Sequence, residues 1–142
     1  MKTFRNRAPV IQRLATENVR FIGRVHQGDL AAVYNQASVF VLASIANGFG
    51  MVVPQAMACG LPVIVTENVG AADIVTDGVD GFVIPIRDVD SLKEKLLLLY
   101  REAGLRSEMG AAAAAKARTA LSWDGYGDRL ASALREVVRK AA

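Results

Sequence analysis

Three short runs in this chain are almost wholly apolar, and they call for a fold in which helices can cover them. They are Val39-Phe40-Val41-Leu42-Ala43, Pro62-Val63-Ile64-Val65-Thr66 and Gly81-Phe82-Val83-Ile84-Pro85. A strand with one face in water alternates apolar and polar residues, whereas a strand of a parallel sheet covered by helices does not. A fourth run, Val19-Arg20-Phe21-Ile22-Gly23, is β-prone and stopped by glycine. Helix signals follow each run, so the chain reads as four β–α units: an α/β fold with a parallel sheet of about four strands flanked by helices. At 142 residues it has room for one core, and the expected organisation is a single domain over 1–142.

The helix signals are local. Asp29 is placed to cap a helix carrying Leu30, Val33, Tyr34 and Ala37 on one stripe. A second helix is predicted from Met51 to Cys59, with Pro54 in its first turn and Gly60 past its end. Ala71 to Val75 reads as a short helix. Asp88 or Asp90 begins another through Leu92, Leu96, Leu99 and Tyr100, with Ser91 and Glu94 at capping-box spacing. After Gly104 the Ala111–Ala115 run favours helix. Ser122 caps a last helix with Trp123, Tyr126, Leu130, Leu134, Val137 and Val138 on one side, of which Trp123 and Tyr126 are read as core.

Composition excludes several chemistries. The chain has one cysteine, Cys59, and one histidine, His26, so neither a disulfide nor a Cys/His metal cluster can be built. With nothing placed to orient His26, no Ser–His–Asp or Cys–His arrangement is available, and His26 reads as a surface residue. Cys59 reads as a small buried apolar residue. No apolar run approaches the ~18 residues of a membrane span, and MKTFRNRAPV is not followed by a signal-like apolar stretch. The expected location is the cytoplasm. The net charge is +3, with Lys2, Arg5, Arg7 and Arg13 at one end and Lys116, Arg118, Arg129, Arg135, Arg139 and Lys140 near the other. Only Phe4 sits among the N-terminal ones and solvated helix faces explain most such charges, so no nucleic-acid partner is expected.

Ligands of parallel α/β sheets sit at the carboxyl ends of the strands, which directs attention to Ser44-Ile45-Ala46-Asn47-Gly48-Phe49-Gly50. Two glycines let backbone approach a ligand, and the helix behind them offers unpaired amides and a positive dipole end to a phosphate or hydroxyl. Taken alone, Gly-Phe-Gly before a helix is equally well explained by a tight turn.

The wider context is specific. Asn47-Gly48-Phe49-Gly50, four residues, then Gln55-Ala56-Met57-Ala58-Cys59-Gly60-Leu61-Pro62-Val63-Ile64 resembles the nucleotide-sugar-binding segment of the retaining GT-B glycosyltransferases of group 1, the glycogen-synthase-like family, whose pattern is E-G-F-G-x4-E-A-M-A-C-G-x-P-V-I. V-R-F-I-G-R-V, D-L-A-A-V-Y, A-S-V-F-V-L-A-S, V-G-A-A-D-I-V-T-D-G-V-D-G-F-V-I-P, D-V-D-S-L, L-R-S-E-M-G and S-W-D follow in the family's order, from about Asn18 to Val138. The resemblance implies a Rossmann-like, partial GT-B C-terminal domain that binds the sugar donor, truncated at its N-terminal side. It also implies transfer of a sugar from a nucleotide-diphosphate sugar to an acceptor hydroxyl with retention, without a metal or other cofactor. By position, donor sugar and phosphate fall to Asn47, Gly48, Phe49, Gly50 and Met51, the ribose to Gln55, and the base to Arg24 and Val25.

The chain departs from the family pattern at both acidic positions. Asn47 and Gln55 are amides where the family has Glu, while Asp73 keeps the charge of the usual Glu. An amide offers one acceptor oxygen and no charge, so donor binding is expected to be weakened or lost. Nothing in Met1–Thr16 resembles the glycine-rich β–α units that open the family's donor domain, and no acceptor domain is recognisable; Pro9 to Thr16 reads as a helix instead. The family places strands between the Val19–Gly23 run and the Val39–Ala43 run. Either the first run pairs directly with the second or another chain fills the gap; because an open central edge invites pairing, self-association is expected, a separate partner acceptor domain being the other expected partner. Two functions remain: a donor-binding glycosyltransferase domain inactive as an isolated chain, or a non-catalytic binding or oligomerisation module derived from one.

Overall fold

The computed structural model describes residues 16–141, so the basic residues before position 16 and the helix expected over Pro9 to Thr16 lie outside the described residues, apart from Thr16 itself. The chain divides into two units, Met1–Leu30 and Ala31–Ala142.

In the described part of the first unit, the Val19–Gly23 run is not a strand. Val19, Phe21 and Ile22 are all exposed. β-Propensity measures how well a side chain fits an existing sheet, and no ladder in the described residues engages this run. Among the described residues the sheet accordingly has three strands rather than the four expected. A 3-10 turn, Gln27–Asp29, follows with His26 as its N-cap, so Asp29 lies inside the turn and does not cap a helix. His26 is exposed, as expected.

The sheet belongs to the second unit. After α1 (Leu30–Tyr34), β1 (Phe40–Leu42), β2 (Val63–Thr66) and β3 (Gly81–Ile84) lie side by side in that order, all parallel. Phe40 is in register with Val63, and Val63 with Gly81. The central strand β2 is buried at every position, whereas β1, on the edge, is only half-buried. Tyr34 steadies β1 by an edge-to-face contact with Phe40, ring centroids 5.8 Å apart.

Helix α2 (Val52–Ala58) connects β1 to β2 and buries Val53, Ala56 and Met57. Pro54 is its third residue, where a missing N–H costs no intrahelical bond. A 3-10 turn, Gly70–Ile74, replaces the short helix expected at Ala71 to Val75. Helix α3 (Val89–Arg101) is capped by Asp88, whose Oδ1 accepts from Ser91 N at 2.9 Å and whose Oδ2 accepts from Ser91 Oγ at 2.6 Å. These hydrogen bonds hold the Asp88 carboxyl below the usual carboxylate range. Ser91 thus answers the cap as the third helical residue, in place of the Ser91/Glu94 box.

The core joins Ile64, Phe82 and Ile84 of the sheet to Leu99 of α3 and Met109 of α4 (Ala103–Ala120). Helix α4 packs through small residues: Gly110, Ala113, Ala114 and Ala117 are buried. Toward the far end of α4 lies a polar knot that the sequence does not announce. Asp80, 1% exposed, pairs with Lys116. Lys116 Nζ also donates to the Ile74 carbonyl at 2.9 Å and to Thr76 Oγ1 at 2.6 Å, and Thr76 N donates to Asp80 Oδ1 at 2.9 Å. Lys116 is therefore an internal partner, not part of an open basic face.

Helix α5 (Trp123–Ala141) starts where expected, with Gly125 N donating to Ser122 Oγ at 3.1 Å. Its apolar stripe is not core, however. Trp123, Tyr126, Leu130, Leu134, Val137 and Val138 are all exposed. Their spacing specifies an amphipathic helix, but burial of that face requires a partner surface that the described residues do not provide. Cys59 is half-buried rather than fully enclosed. Among the described residues, no helix is long and apolar enough to cross a membrane, and no cluster of carboxylates, histidine and cysteine is placed to hold a metal ion.

Candidate functional site

The loop that leaves β1 runs along the segment that leaves β2, and hydrogen bonds join the two almost residue by residue. Thr66 Oγ1 donates to the Ser44 carbonyl at 2.5 Å and Asn68 Nδ2 to the Ile45 carbonyl at 3.1 Å. Asn47 N donates to the Asn68 carbonyl at 3.2 Å, Gly70 N to the Asn47 carbonyl at 3.2 Å, and Ala71 N to the Phe49 carbonyl at 2.7 Å. Asn47 and Val69 thereby form an isolated parallel bridge beyond the ends of the strands. A loop with exposed side chains thus has a fixed backbone.

Two glycines make the close approach possible. A Cβ on Gly70 would collide with the Gly48 carbonyl and stand 3.0 Å from Phe49 Cα. Gly50 adopts φ +81, and a Cβ there would meet Leu42 Cδ2 at 3.0 Å and Val69 Cγ1 at 3.1 Å. Sequence reasoning finds Gly48 and Gly50 but not Thr66, Asn68 or Gly70. The available signal is a polar pair and a glycine directly after a buried strand, at the carboxyl end where ligands collect.

These contacts engage the carbonyls of Ser44, Ile45, Asn47 and Phe49 but, beyond Asn47, none of the loop's amides. Among the described residues, the backbone N–H groups of Gly48, Phe49, Gly50, Met51 and Val52 donate to no protein acceptor, while the next amide, Val53 N, is taken by the Gly50 carbonyl at 2.8 Å. Asn47, Gly48, Phe49 and Met51 are exposed and Gly50 is half-buried. Gln55 lies one turn into α2, half-buried. The structure therefore brings together six of the predicted positions, Asn47, Gly48, Phe49, Gly50, Met51 and Gln55, on the loop and the first turns of α2. Arg24, exposed, and Val25, half-buried, belong to the first unit, and their assignment to a base rests on the resemblance alone.

No residue from Ser44 to Gln55 is ionisable, so this segment offers a ligand backbone N–H groups and the Asn47 and Gln55 amides without a formal charge, the acidic groups of the paired segment being Glu67 and Asp73. Fixed donors of this kind bind electron-rich oxygens and stabilise charge developing on them without reorganising.

Comparison with known proteins decides the family. The model for glycosyl transferases group 1 matches residues 4–116. The chain belongs to that family. A curated relative, the GDP-mannose-dependent monoacylated alpha-(1-6)-phosphatidylinositol monomannoside mannosyltransferase of Corynebacterium glutamicum, is 34% identical over 139 residues, 91% of this chain and 36% of its own length. Among solved structures, Anabaena HepE in complex with UDP-glucose superposes with a TM-score of 0.77 at 26% identity, over 89% of this chain and 35% of that one. The C-terminal domain of a group 1 family protein, LpcC of Francisella tularensis, superposes with a TM-score of 0.71 over 81% of this chain and 60% of that one; at 23% identity it shows the fold alone. The group 1 chain thus spans about a third of the length of the curated mannosyltransferase it matches.

Proposed function

We infer that this group 1 chain is the donor-binding part of a retaining glycosyltransferase, and that its loop from Asn47 to Met51 receives the sugar and diphosphate of a nucleotide-diphosphate sugar. The run of amides from Gly48 to Val52 that no acceptor among the described residues engages, on a backbone held by the Thr66–Ala71 segment, carries this reading. Those amides complement phosphate and sugar oxygens, Asn47 reaches a sugar hydroxyl, and Gln55 faces the ribose. Leaving-group charge is stabilised by N–H dipoles rather than by a metal. The solved relative bound to UDP-glucose supports a ligand of this class.

The two amides set the strength. A charge-assisted hydrogen bond contributes about 1.5–3 kcal/mol against about 0.5–1.5 for a neutral one. Asn47 and Gln55 in place of carboxylates therefore weaken donor binding by one to several powers of ten, at ~1.4 kcal/mol per decade. The chain by itself binds nucleotide weakly and transfers no sugar. Calorimetric titration with UDP, GDP, ADP and their sugar conjugates tests this. Sub-millimolar binding of one nucleotide, strengthened at least about tenfold by Gln55→Glu, is the expected result. No heat with any of them, in the wild type and in Gln55→Glu with Asn47→Glu, overturns it.

The loss of both carboxylates also favours a second reading, a binding or self-associating module that has given up catalysis. Its mark would be a stable oligomer in sedimentation with no nucleotide dependence.

A further inference from the structure

The Asp80–Lys116 pair lies away from the loop, yet it holds the other end of the element on which the loop rests. The 3-10 turn Gly70–Ile74 has two attachments. At its start, Gly70 N and Ala71 N donate to the Asn47 and Phe49 carbonyls. At its finish, the Ile74 carbonyl accepts from Lys116 Nζ at 2.9 Å. The same ammonium takes Thr76 Oγ1 and the Asp80 carboxylate, so three acceptors match the three N–H bonds of a lysine. Asp80 is buried and returns to the backbone by accepting from Thr76 N. A buried carboxylate needs such a partner, which fixes Lys116 and, through it, the turn.

We propose that Asp80 and Lys116 are positioning residues for the donor loop. By pinning Ile74 and Thr76 to α4, they keep Gly70 and Ala71 aligned on Asn47 and Phe49, and so keep the amides from Gly48 to Met51 aimed at the ligand. The proposal rests on the donor-binding reading of that loop. Neither residue bonds to the loop itself, so their effect is on the geometry of the donors.

Amide hydrogen exchange on the full chain, with UDP titration alongside, separates this from general stabilisation. Lys116→Met alone strands a buried carboxylate and can unfold the molecule, so the deciding variant is Asp80→Asn with Lys116→Met. It removes both charges and leaves a side-chain amide oxygen to accept from Thr76 N. The expected result is exchange at Gly70 and Ala71 faster by at least about tenfold, with the β2–β3 ladder amides within about twofold of wild type. The UDP Kd is expected to rise by about tenfold as well. Unchanged exchange at Gly70 and Ala71, or a rise shared equally by the ladder, overturns the proposal; so does faster local exchange with an unchanged Kd. If the wild-type chain takes up no UDP or GDP, the donor-binding reading fails, and the exchange result alone decides whether the pair positions the loop.

Discussion

The loop after β1 and the helix α5 both place large apolar side chains in solvent, Phe49 and Met51 in one and Trp123 through Val138 in the other, but for different reasons. In the loop, the backbone is fixed by the Thr66–Ala71 segment, and the exposed residues surround a line of unengaged amides. In α5, the backbone is satisfied internally as in any helix, and only the side-chain face lacks a partner. Exposure on an already fixed backbone is what the proposed donor site requires, whereas the amphipathic stripe of α5 is an apolar face that lacks cover among the described residues.

Substitutions can separate these two kinds of exposure. The largest effect is expected in the core, away from both exposed regions' side chains: Leu99→Ala leaves a cavity against Met109 and the sheet and should cost about 2–5 kcal/mol in urea denaturation. Gly70→Ala comes next, because its Cβ meets the Gly48 carbonyl. Overpacking of this kind costs about 1–3 kcal/mol, and nucleotide affinity should fall with it. A variant as stable as wild type would show that the loop does not need the contact.

Asp88→Ala should lower the melting temperature at neutral pH by removing the α3 cap. The Asp88 carboxyl titrates below its ordinary value in the folded chain, so its contribution is full above that value and lost as pH falls through the lowered one. The gap between wild type and variant should therefore close in acid, and a gap that persists there would remove the carboxylate from the explanation. The smallest effect is reserved for α5. Leu134→Ala, at an exposed position, should change stability by no more than about 0.5 kcal/mol. A cost approaching that of Leu99→Ala would mean that the α5 face is covered in solution, and the contrast with the loop would fail.

What the sequence discloses follows the range of the interactions involved. Strands β1, β2 and β3 are legible because residues apolar on both faces have one good home, and α2 with its following glycine because capping and proline rules act over a few residues. Asn47 to Gln55 stand out through the family pattern. The Val19–Gly23 run misleads because a strand exists only with a neighbour, and α5 because periodicity specifies a face without specifying its cover. The Asp80–Lys116 pairing is invisible in the sequence because the two residues are distant along it, and the Thr66, Asn68 and Gly70 supports leave only a faint local signal because their partners lie in another loop. Lys116 resembles any surface lysine until Ile74, Thr76 and Asp80 are placed around it.

If the amides from Gly48 to Val52 form the receptor for a nucleotide-diphosphate sugar, their own resonances must report its arrival. The decisive experiment is amide-resolved NMR of the full chain during titration with UDP-glucose and GDP-mannose. One of the two ligands is predicted to shift the Gly48, Phe49, Gly50, Met51 and Val52 resonances together, leaving those of α5 still. Saturating shifts confined to another surface, or no shift from either ligand even with Gln55→Glu, would contradict that receptor.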